Sequence, residues 1–525
     1  MTVVVETAAG AVRGIEQDGG VRAYLGIPYA QPPTGPRRFA PPRPAEGWTG
    51  IREAIAFGPA AAQLPEDQSA TALPPEAAYS EDCLSLNVWT AAAGDDQLPV
   101  LVWFHGGGYR TGGAAIAAYD GRFLAREQRV VVVTCGYRLG ALGFLCHPEL
   151  ADEADGGRGE LAGGVTGNWG LLDQQAALAW VRENIGAFGG DPGRVTIFGE
   201  SAGASAIGLH LTARSVSGLF HRAILQSGSP KLDYPDAAAE LAERLARDVG
   251  CADVRGLRQV PVADLLAAQA AIEGPGKAMT FLPVLDGGYL SDDPLPAIAA
   301  GSAGDVDVLI GSNADEWRLF QRHLDPKGRD LTAEQLSRRV QRYLGEGSGE
   351  VIEAYRRSRE QTGQSTDPGS LWFAIFGDAY FRVPTERLRS ALAAGGSDVF
   401  GYLFTWPSPG QDGWLGACHT LEIPFVFGTI ERTAELAEFT GGASGRGLSR
   451  QVMRSWASFA ADGRPADDGL GRWPAWDDEQ RRTMVIGESS RVVAAPDDER
   501  LRLLQRHLPD ATRGVRITTG GASAS

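Results

Sequence analysis

Gly199-Glu200-Ser201-Ala202-Gly203 follows the apolar run Val195-Thr196-Ile197-Phe198 and opens an Ala-rich stretch over residues 204–212. Strand, sharp turn and helix in that order are what a nucleophile elbow requires. The serine takes a strained φ/ψ with Oγ projecting, and side chains at the flanking glycines would collide with the neighbouring strand and helix. No other G-x-S-x-G occurs in the 525 residues. Gly487-Glu488-Ser489-Ser490-Arg491 begins alike but lacks the closing glycine and a following apolar helix, which predicts a surface turn. A glycine-rich turn around a spectator serine would show the same five residues, so the reading depends on what else the chain supplies.

A serine hydroxyl is a weak nucleophile at neutral pH; it needs a base, a group that orients the base, and donors for a developing oxyanion. Leu98-Pro99-Val100-Leu101-Val102-Trp103-Phe104 predicts a buried strand that runs into His105-Gly106-Gly107-Gly108-Tyr109. Three successive glycines let backbone N–H groups converge, and the amide of Ala202, directly after the nucleophile, adds a further donor.

In this order of parts the base lies downstream of the nucleophile, with the acid between them. His210, His221, His323 and His419 meet that condition, with His507 near the C-terminal end. His419 sits in the small-residue loop Gly416-Ala417-Cys418-His419-Thr420, ahead of the apolar Leu421-Glu422-Ile423-Pro424-Phe425-Val426-Phe427. A loop histidine beside an apolar anchor reaches a cleft yet stays oriented. His210 and His221 read as structural, His323 as solvated surface, and His105 as shaping the glycine loop. For the acid, Val306-Asp307-Val308-Leu309-Ile310 predicts a short strand, and Gly311-Ser312-Asn313-Ala314-Asp315-Glu316-Trp317 the loop at its end. Pattern alone leaves Asp315 and Glu316 in competition.

Together with Gly26-Ile27-Pro28-Tyr29-Ala30, Glu81-Asp82-Cys83-Leu84-Ser85-Leu86-Asn87, Gly167-Asn168-Trp169-Gly170-Leu171-Leu172-Asp173-Gln174 and Phe188-Gly189-Gly190-Asp191-Pro192, these segments resemble the type-B carboxylesterases. That family includes para-nitrobenzyl esterases, liver carboxylesterases and cholinesterases. The resemblance implies an α/β-hydrolase fold: a mostly parallel twisted sheet flanked by helices, with large insertions after the core strands. It implies Ser201 as nucleophile, His419 as base and Glu316 as acid, with oxyanion donors at Gly107, Gly108 and Ala202. Two departures stand near these residues: Trp317 where the family usually has glycine, and Gly136 where it usually has asparagine. Residues 63–80 match the loop in which cholinesterases carry a choline-binding tryptophan, yet Tyr79 is the one aromatic there, so the platform for a quaternary ammonium is missing.

The expected function is hydrolysis of small-molecule carboxylic esters through an acyl-enzyme. An acyltransferase or thioesterase with the same residues is the alternative, and a non-catalytic scaffold relative a more distant one. Trp372, Phe373 and Phe376 fall in a part of the chain that supplies pocket walls in relatives; ordinary helix core explains them equally well. No cofactor or metal is expected: there is no His-Glu-x-x-His, Cys-x-x-Cys or Walker loop. The relaxed dinucleotide pattern over residues 157–162 follows acids rather than a strand, and the acidic run 152–155 reads as solvated loop.

A net charge of −16 argues against nucleic acid as a partner, since phosphate binding needs a basic surface. No apolar run reaches the ~18 residues a membrane span needs, and nothing in the pattern sets the oligomeric state. The five cysteines are an odd, sparse set, and none precedes Cys83 to make the disulfide of secreted relatives. With no basic, apolar leader at Met1, a cytoplasmic location is expected. The matched segments run without a linker, which predicts one domain over residues 1–510 and a flexible tail over 511–525. Residues 448–460 are expected as a helix and Trp473-Pro474-Ala475-Trp476-Asp477 as a turn.

Overall fold

The computed structural model describes residues 2–65, 72–74, 76–93, 96–150, 167–274 and 279–508. Residues 152–155, 157–162 and 511–525 and part of the 63–80 loop therefore lie outside the described residues. In chain order the strands are β1 (Thr2–Thr7), β2 (Gly10–Gln17), β3 (Val21–Pro28), β4 (Ile51–Glu53), β5 (Ala60–Ala61), β6 (Tyr79–Ser80), β7 (Ser85–Thr90) and β8 (Leu98–Phe104). They continue as β9 (Val131–Cys135), β10 (Gly190–Glu200), β11 (Arg222–Gln226), β12 (Asp307–Asn313), β13 (Val399–Phe404), β14 (Arg482–Ile486) and β15 (Arg491–Ala494). One sheet takes the order β1-β2-β3-β7-β9-β8-β10-β11-β12-β13-β14-β15, with β4 on β2 and the β5–β6 pair apart. From β9 to β14 every pairing is parallel, and the flanking pairs are antiparallel except for β4, which lies parallel to β2.

Parallel strands need crossovers, whose helices cover both faces, so the central strands must be apolar on both sides. The strand β8 is buried from end to end, with Val100, Val102 and Phe104 in one core and Leu101 and Trp103 in the other. The first core takes in Leu171, Leu178 and Val181 of the helix Trp169–Asn184; the second holds Phe427, Trp456 and Phe459. This is the period of two that a strand imposes on its side chains.

A third apolar cluster lies apart from the sheet. It gathers Trp317, Leu336, Val340, Tyr355, Trp372, Phe376 and Tyr380 from the insertion between β12 and β13, with Leu501 and Leu504 of the final helix Asp498–His507. The fold is that of the α/β hydrolases, and this insertion stands over the carboxyl ends of the parallel strands, where open α/β sheets place their sites.

Three local expectations need correction. Gly311, Ser312 and Asn313 belong to β12, because they pair with Tyr402, Leu403 and Phe404. The 448–460 helix extends to Arg446–Asp462. The Trp473–Asp477 stretch is an irregular segment docked on β13, with Trp476 N donating to Val399 O at 2.7 Å and Trp473 Nε1 to Gly401 O at 3.2 Å, and the turn follows at 478–480. Two buried indoles hold it there, a tertiary cause that local turn chemistry does not carry. Gly487 and Ser490 form the turn between β14 and β15, as expected.

Candidate active site

At the end of β10 the chain turns through Ser201, at φ 56° and ψ −119°, straight into the helix Ala202–His210. A Cβ on Gly203 would stand 2.0 Å from Phe104 O and 2.9 Å from His105 O, and one on Gly199 2.7 Å from Phe104 O. Only glycine lets the elbow pack this closely on the end of β8. Ser201 N donates to Gln226 O at 2.9 Å, which ties the turn to β11.

The glycine loop lies beside it. Gly107 sits at φ 104°, and a Cβ there would meet Thr111 O at 2.1 Å. Among the described residues, the N–H groups of Gly107, Gly108 and Ala202 donate to no protein acceptor. His105 braces the loop: its ring stacks on Tyr137 at 4.4 Å, Nδ1 lies 2.8 Å from Gly106 O, and burial pushes its pKa down to about 4. It is neutral at pH 7 and serves the loop's shape.

The loop carrying His419 is bound edge to edge with the segment after β12. Asp315 N donates to Ala417 O at 2.8 Å, Ala417 N donates to Asp315 Oδ2 at 3.1 Å, and His419 N donates to Glu316 O at 3.3 Å. The two adjacent acids then part company. His419 Nδ1 donates to Glu316 Oε2 at 2.6 Å, within the range of charge-assisted bonds, while Glu316 Oε1 accepts from Asn313 N at 2.7 Å. Asp315 turns to Arg318 at 3.1 Å.

On the other side of the ring, His419 Nε2 lies 2.9 Å from Glu200 Oε1, the residue before Ser201, and no hydrogen bond joins the ring to Ser201 itself. Burial by itself would lower the His419 pKa; Glu200 and Glu316 outweigh it and hold the ring up at about 10. Burial raises Glu200 in turn, with His419 pulling against it. A third carboxyl group, Glu422, is pushed up to about 8 by burial and by Glu200 and Glu316, and is held by Asn313 Nδ2 at 2.6 Å and Gln226 Nε2 at 3.0 Å. Gln226 also accepts from Trp456 Nε1 at 3.0 Å, so the carboxyl cluster is fastened to the sheet and to the helix behind it.

The remaining histidines stand elsewhere. His210 is held between Tyr289 OH at 2.7 Å and Gln174 Oε1 at 2.8 Å, His221 accepts from Val195 N at 3.2 Å, and His323 is exposed on the short helix Gln321–Leu324.

Aromatic rings wall the site beside the histidine. Phe381 and Phe320 face the His419 ring at centroid distances of 4.5 Å and 5.1 Å. Trp372, Phe373 and Phe376 are buried behind them: Trp372 Nε1 donates to Asp325 Oδ2 at 2.7 Å, Phe373 packs on Trp414, and Phe376 packs on Trp317 at 4.5 Å. Trp317, in place of the usual glycine, thus joins this cluster to the Glu316 segment. Phe320 ends the short helical turn Glu316–Phe320, and Phe381 comes from the π-helical turn Asp378–Arg382 between the helices Pro368–Gly377 and Val383–Ala394, which brings Tyr380 beside it. Residue types gave no signal for Phe320, Phe381 or Glu422. Glu200 had one, its position beside the nucleophile.

Among the described residues, no helix is long and apolar enough to cross a membrane, and no group of three His, Cys, Asp or Glu is suited to holding a metal ion. A serine at an elbow, a glycine loop beside it and a His–Glu pair at the carboxyl ends of a parallel sheet define an α/β-hydrolase site built for acyl chemistry. The model of the carboxylesterase family matches residues 1–504, and the chain belongs to that family. It is 38% identical over 502 residues to a fumonisin B1 esterase of Sphingopyxis macrogoltabida, covering 93% of this chain and 87% of the relative. With the para-nitrobenzyl esterase of Bacillus subtilis it shares 35% identity, covering 95% and 98%. A solved carboxylesterase of Geobacillus stearothermophilus superposes with a TM-score of 0.82 at 38% identity, covering 95% of this chain and 99% of that one. The protein is a carboxylic ester hydrolase.

Proposed function

We propose that Ser201 is the nucleophile, His419 the general base and Glu316 the group that orients it, with the amides of Gly107, Gly108 and Ala202 receiving the oxyanion. The observation that carries this is the buried 2.6 Å bond from His419 Nδ1 to Glu316, on the face of the ring opposite the elbow. In the neutral ring it fixes the tautomer with the proton on Nδ1, which leaves Nε2 to accept one. Turnover then has Nε2 exchange Glu200 for Ser201 Oγ: the ring takes the hydroxyl proton as Oγ attacks the ester carbonyl, and Glu316 stabilises the imidazolium. The ring next protonates the leaving alcohol, and water releases the acid by the same steps. Each backbone donor lowers the barrier by about 3 kcal/mol.

The substrate is an ester of modest acyl size whose body packs on Phe320 and Phe381. Five cysteines without a disulfide among the described residues support a reducing, cytoplasmic setting, and a sheet continuous from β1 to β15 supports one domain over residues 1–510. Nucleic acid is no partner, on the charge argument. A panel of para-nitrophenyl esters of increasing acyl length, read beside fluorophosphonate labelling, tests the assignment. Short esters turn over and one serine is labelled in the native protein; labelling that persists in Ser201→Ala overturns it.

A further inference from the structure

The loop after β11 runs back over the elbow. A Cβ on Gly228 would stand 2.4 Å from Ser201 O, and Lys231 N donates to Ser205 Oγ at 3.0 Å in the helix behind the nucleophile. From this anchor the Lys231 side chain enters the aromatic wall. Its Nζ is 3.0 Å from the ring centroid of Tyr380 and 5.5 Å from that of Phe381, the ring that faces His419. Tyr380 OH reaches Met279 Sδ at 3.0 Å, and Met279 Cγ lies 3.5 Å from where a Cβ on Gly108 would be. These contacts close a ring around the elbow, running from the glycine loop through Met279, Tyr380, Lys231 and Phe381 to His419.

Lys231 is poorly supplied in that ring. An ammonium carries three donors, yet the protein oxygen it reaches is Tyr380 O at a long 3.5 Å. No carboxylate pairs with it among the described residues. Glu316, whose charge acts on it, has both oxygens engaged, by Asn313 N and by His419 Nδ1. Burial accordingly holds the amine well below an ordinary lysine, and Glu316 offsets this only in part. Two aromatic faces attract a cation but satisfy none of its hydrogens.

We propose that Lys231 is a specificity residue that binds a carboxylate carried by the substrate, so that the site takes esters bearing a second, ionised carboxyl group a few bonds from the scissile carbonyl. The inference rests on the esterase reading of Ser201. The carboxylate supplies the counter-ion and acceptors that the protein withholds, and the aromatic wall packs the chain between the two carbonyl groups. It belongs to the acyl part, as in a half-ester of a dicarboxylic acid, or to the alcohol part.

The test compares matched pairs. On the acyl side, mono-para-nitrophenyl succinate is set against para-nitrophenyl butyrate; on the alcohol side, 4-(butyryloxy)benzoate against phenyl butyrate. The readout is the ratio of kcat/KM, anionic over neutral, in the native protein, Lys231→Met and Lys231→Glu. The ratio in one pair should fall on the order of 10- to 100-fold in Lys231→Met and further in Lys231→Glu, mainly through KM. The pair that responds identifies the side. Ratios within about twofold of native in both pairs, in both variants, overturn the assignment.

Where the variants do not fold, the native protein decides. Competitive inhibition of butyrate ester turnover by glutarate and not by butyramide supports the proposal, and equal or absent inhibition overturns it. Fluorophosphonate labelling and the neutral-ester rate report separately on the esterase reading, so a labelled, active enzyme without charge preference discards Lys231 alone.

Discussion

The two sides of the site are assembled from the chain in different ways. On one side, the elbow and the glycine loop are short-range objects: each follows its strand directly, and their contact is one of backbone on backbone, Gly203 against Phe104 O and His105 O. On the other, the wall is drawn from far-apart segments, Lys231, Met279, Glu316 to Phe320, Tyr380 to Phe381 and His419. Where sterics admit one residue type, geometry leaves a motif; where a ring of side chains merely has to fill space beside a histidine, many residues serve and none signals its place. The second side also carries His419 and Glu316, so the proposed chemistry draws on both, while the rings beside the histidine come from the second side alone.

The comparison breaks most severely if the nucleophile is elsewhere. Ser201→Ala should lower kcat by about five to six orders of magnitude while the thermal transition stays within about two degrees, because Ser201 is only partly buried and its hydroxyl makes no hydrogen bond among the described residues. Stopped-assay turnover of a short para-nitrophenyl ester, with calorimetry on the same sample, checks both halves. A variant that keeps a tenth of native activity would return Ser201 to the status of a turn residue.

Next in size is the junction between the two sides. Glu316→Gln keeps the volume but lets the ring take the wrong tautomer, so kcat should fall about 10³- to 10⁴-fold. Asp315→Asn weakens a largely buried pair with Arg318 but keeps an oxygen that can accept from Ala417 N, so its effect on rate should be small. A severe loss in Asp315→Asn beside a near-normal Glu316→Gln would exchange the two assignments.

Much of this was open to reading from the chain, and the limit has a physical location. The elbow, the strand Leu98–Phe104 and the glycine loop followed from residue types at fixed spacing. The small-residue loop and apolar anchor singled out His419 as the candidate base. The choice of Glu316 over Asp315 did not follow from the pattern, because adjacent carboxylates differ only in the direction the backbone gives them; here it is set by the bonds between Asp315 and Ala417 on one strand-like edge. The sequence left Trp372, Phe373 and Phe376 open between pocket wall and helix core; Phe320, at the end of Glu316–Phe320, and Phe381, in the π-helical turn, carry no residue-type signal of standing beside His419. Glu422 was hidden in an apolar anchor, although a buried carboxyl group there is what pulls Asn313 and Gln226 together.

The pH dependence sharpens the comparison through Glu200, which belongs to the local side but acts on the base. With both carboxylates beside it, the ring is held as imidazolium up to about 10, so the rising limb of kcat/KM should lie on the alkaline side of an ordinary histidine. The sign for a variant follows. Glu200→Gln removes one of the two charges that favour the imidazolium, the ring loses its proton at lower pH, and the limb moves toward acid. Activity at pH 6 relative to the alkaline plateau should therefore rise, about tenfold for each unit the limb moves. A limb that does not move, or moves toward alkali, would show that Glu200 does not hold the base.

The smallest effect on selectivity tests whether the wall has depth. Trp372 is locked by its bond to Asp325, an acid that also holds Arg339 at 2.6 Å, and its ring stacks on Phe376 rather than on anything beside His419. Trp372→Phe removes that bond and some volume, and should lower stability by about 1–3 kcal/mol. The ratio of acetate to hexanoate ester turnover should stay within about twofold of native. Phe381→Ala, one layer nearer, opens space directly against the base and should shift the same ratio by about tenfold toward the longer ester. Should Trp372→Phe move the ratio as far as Phe381→Ala does, the two layers are one pocket, and the helix Pro368–Gly377 reads the substrate instead of merely backing the residues that do.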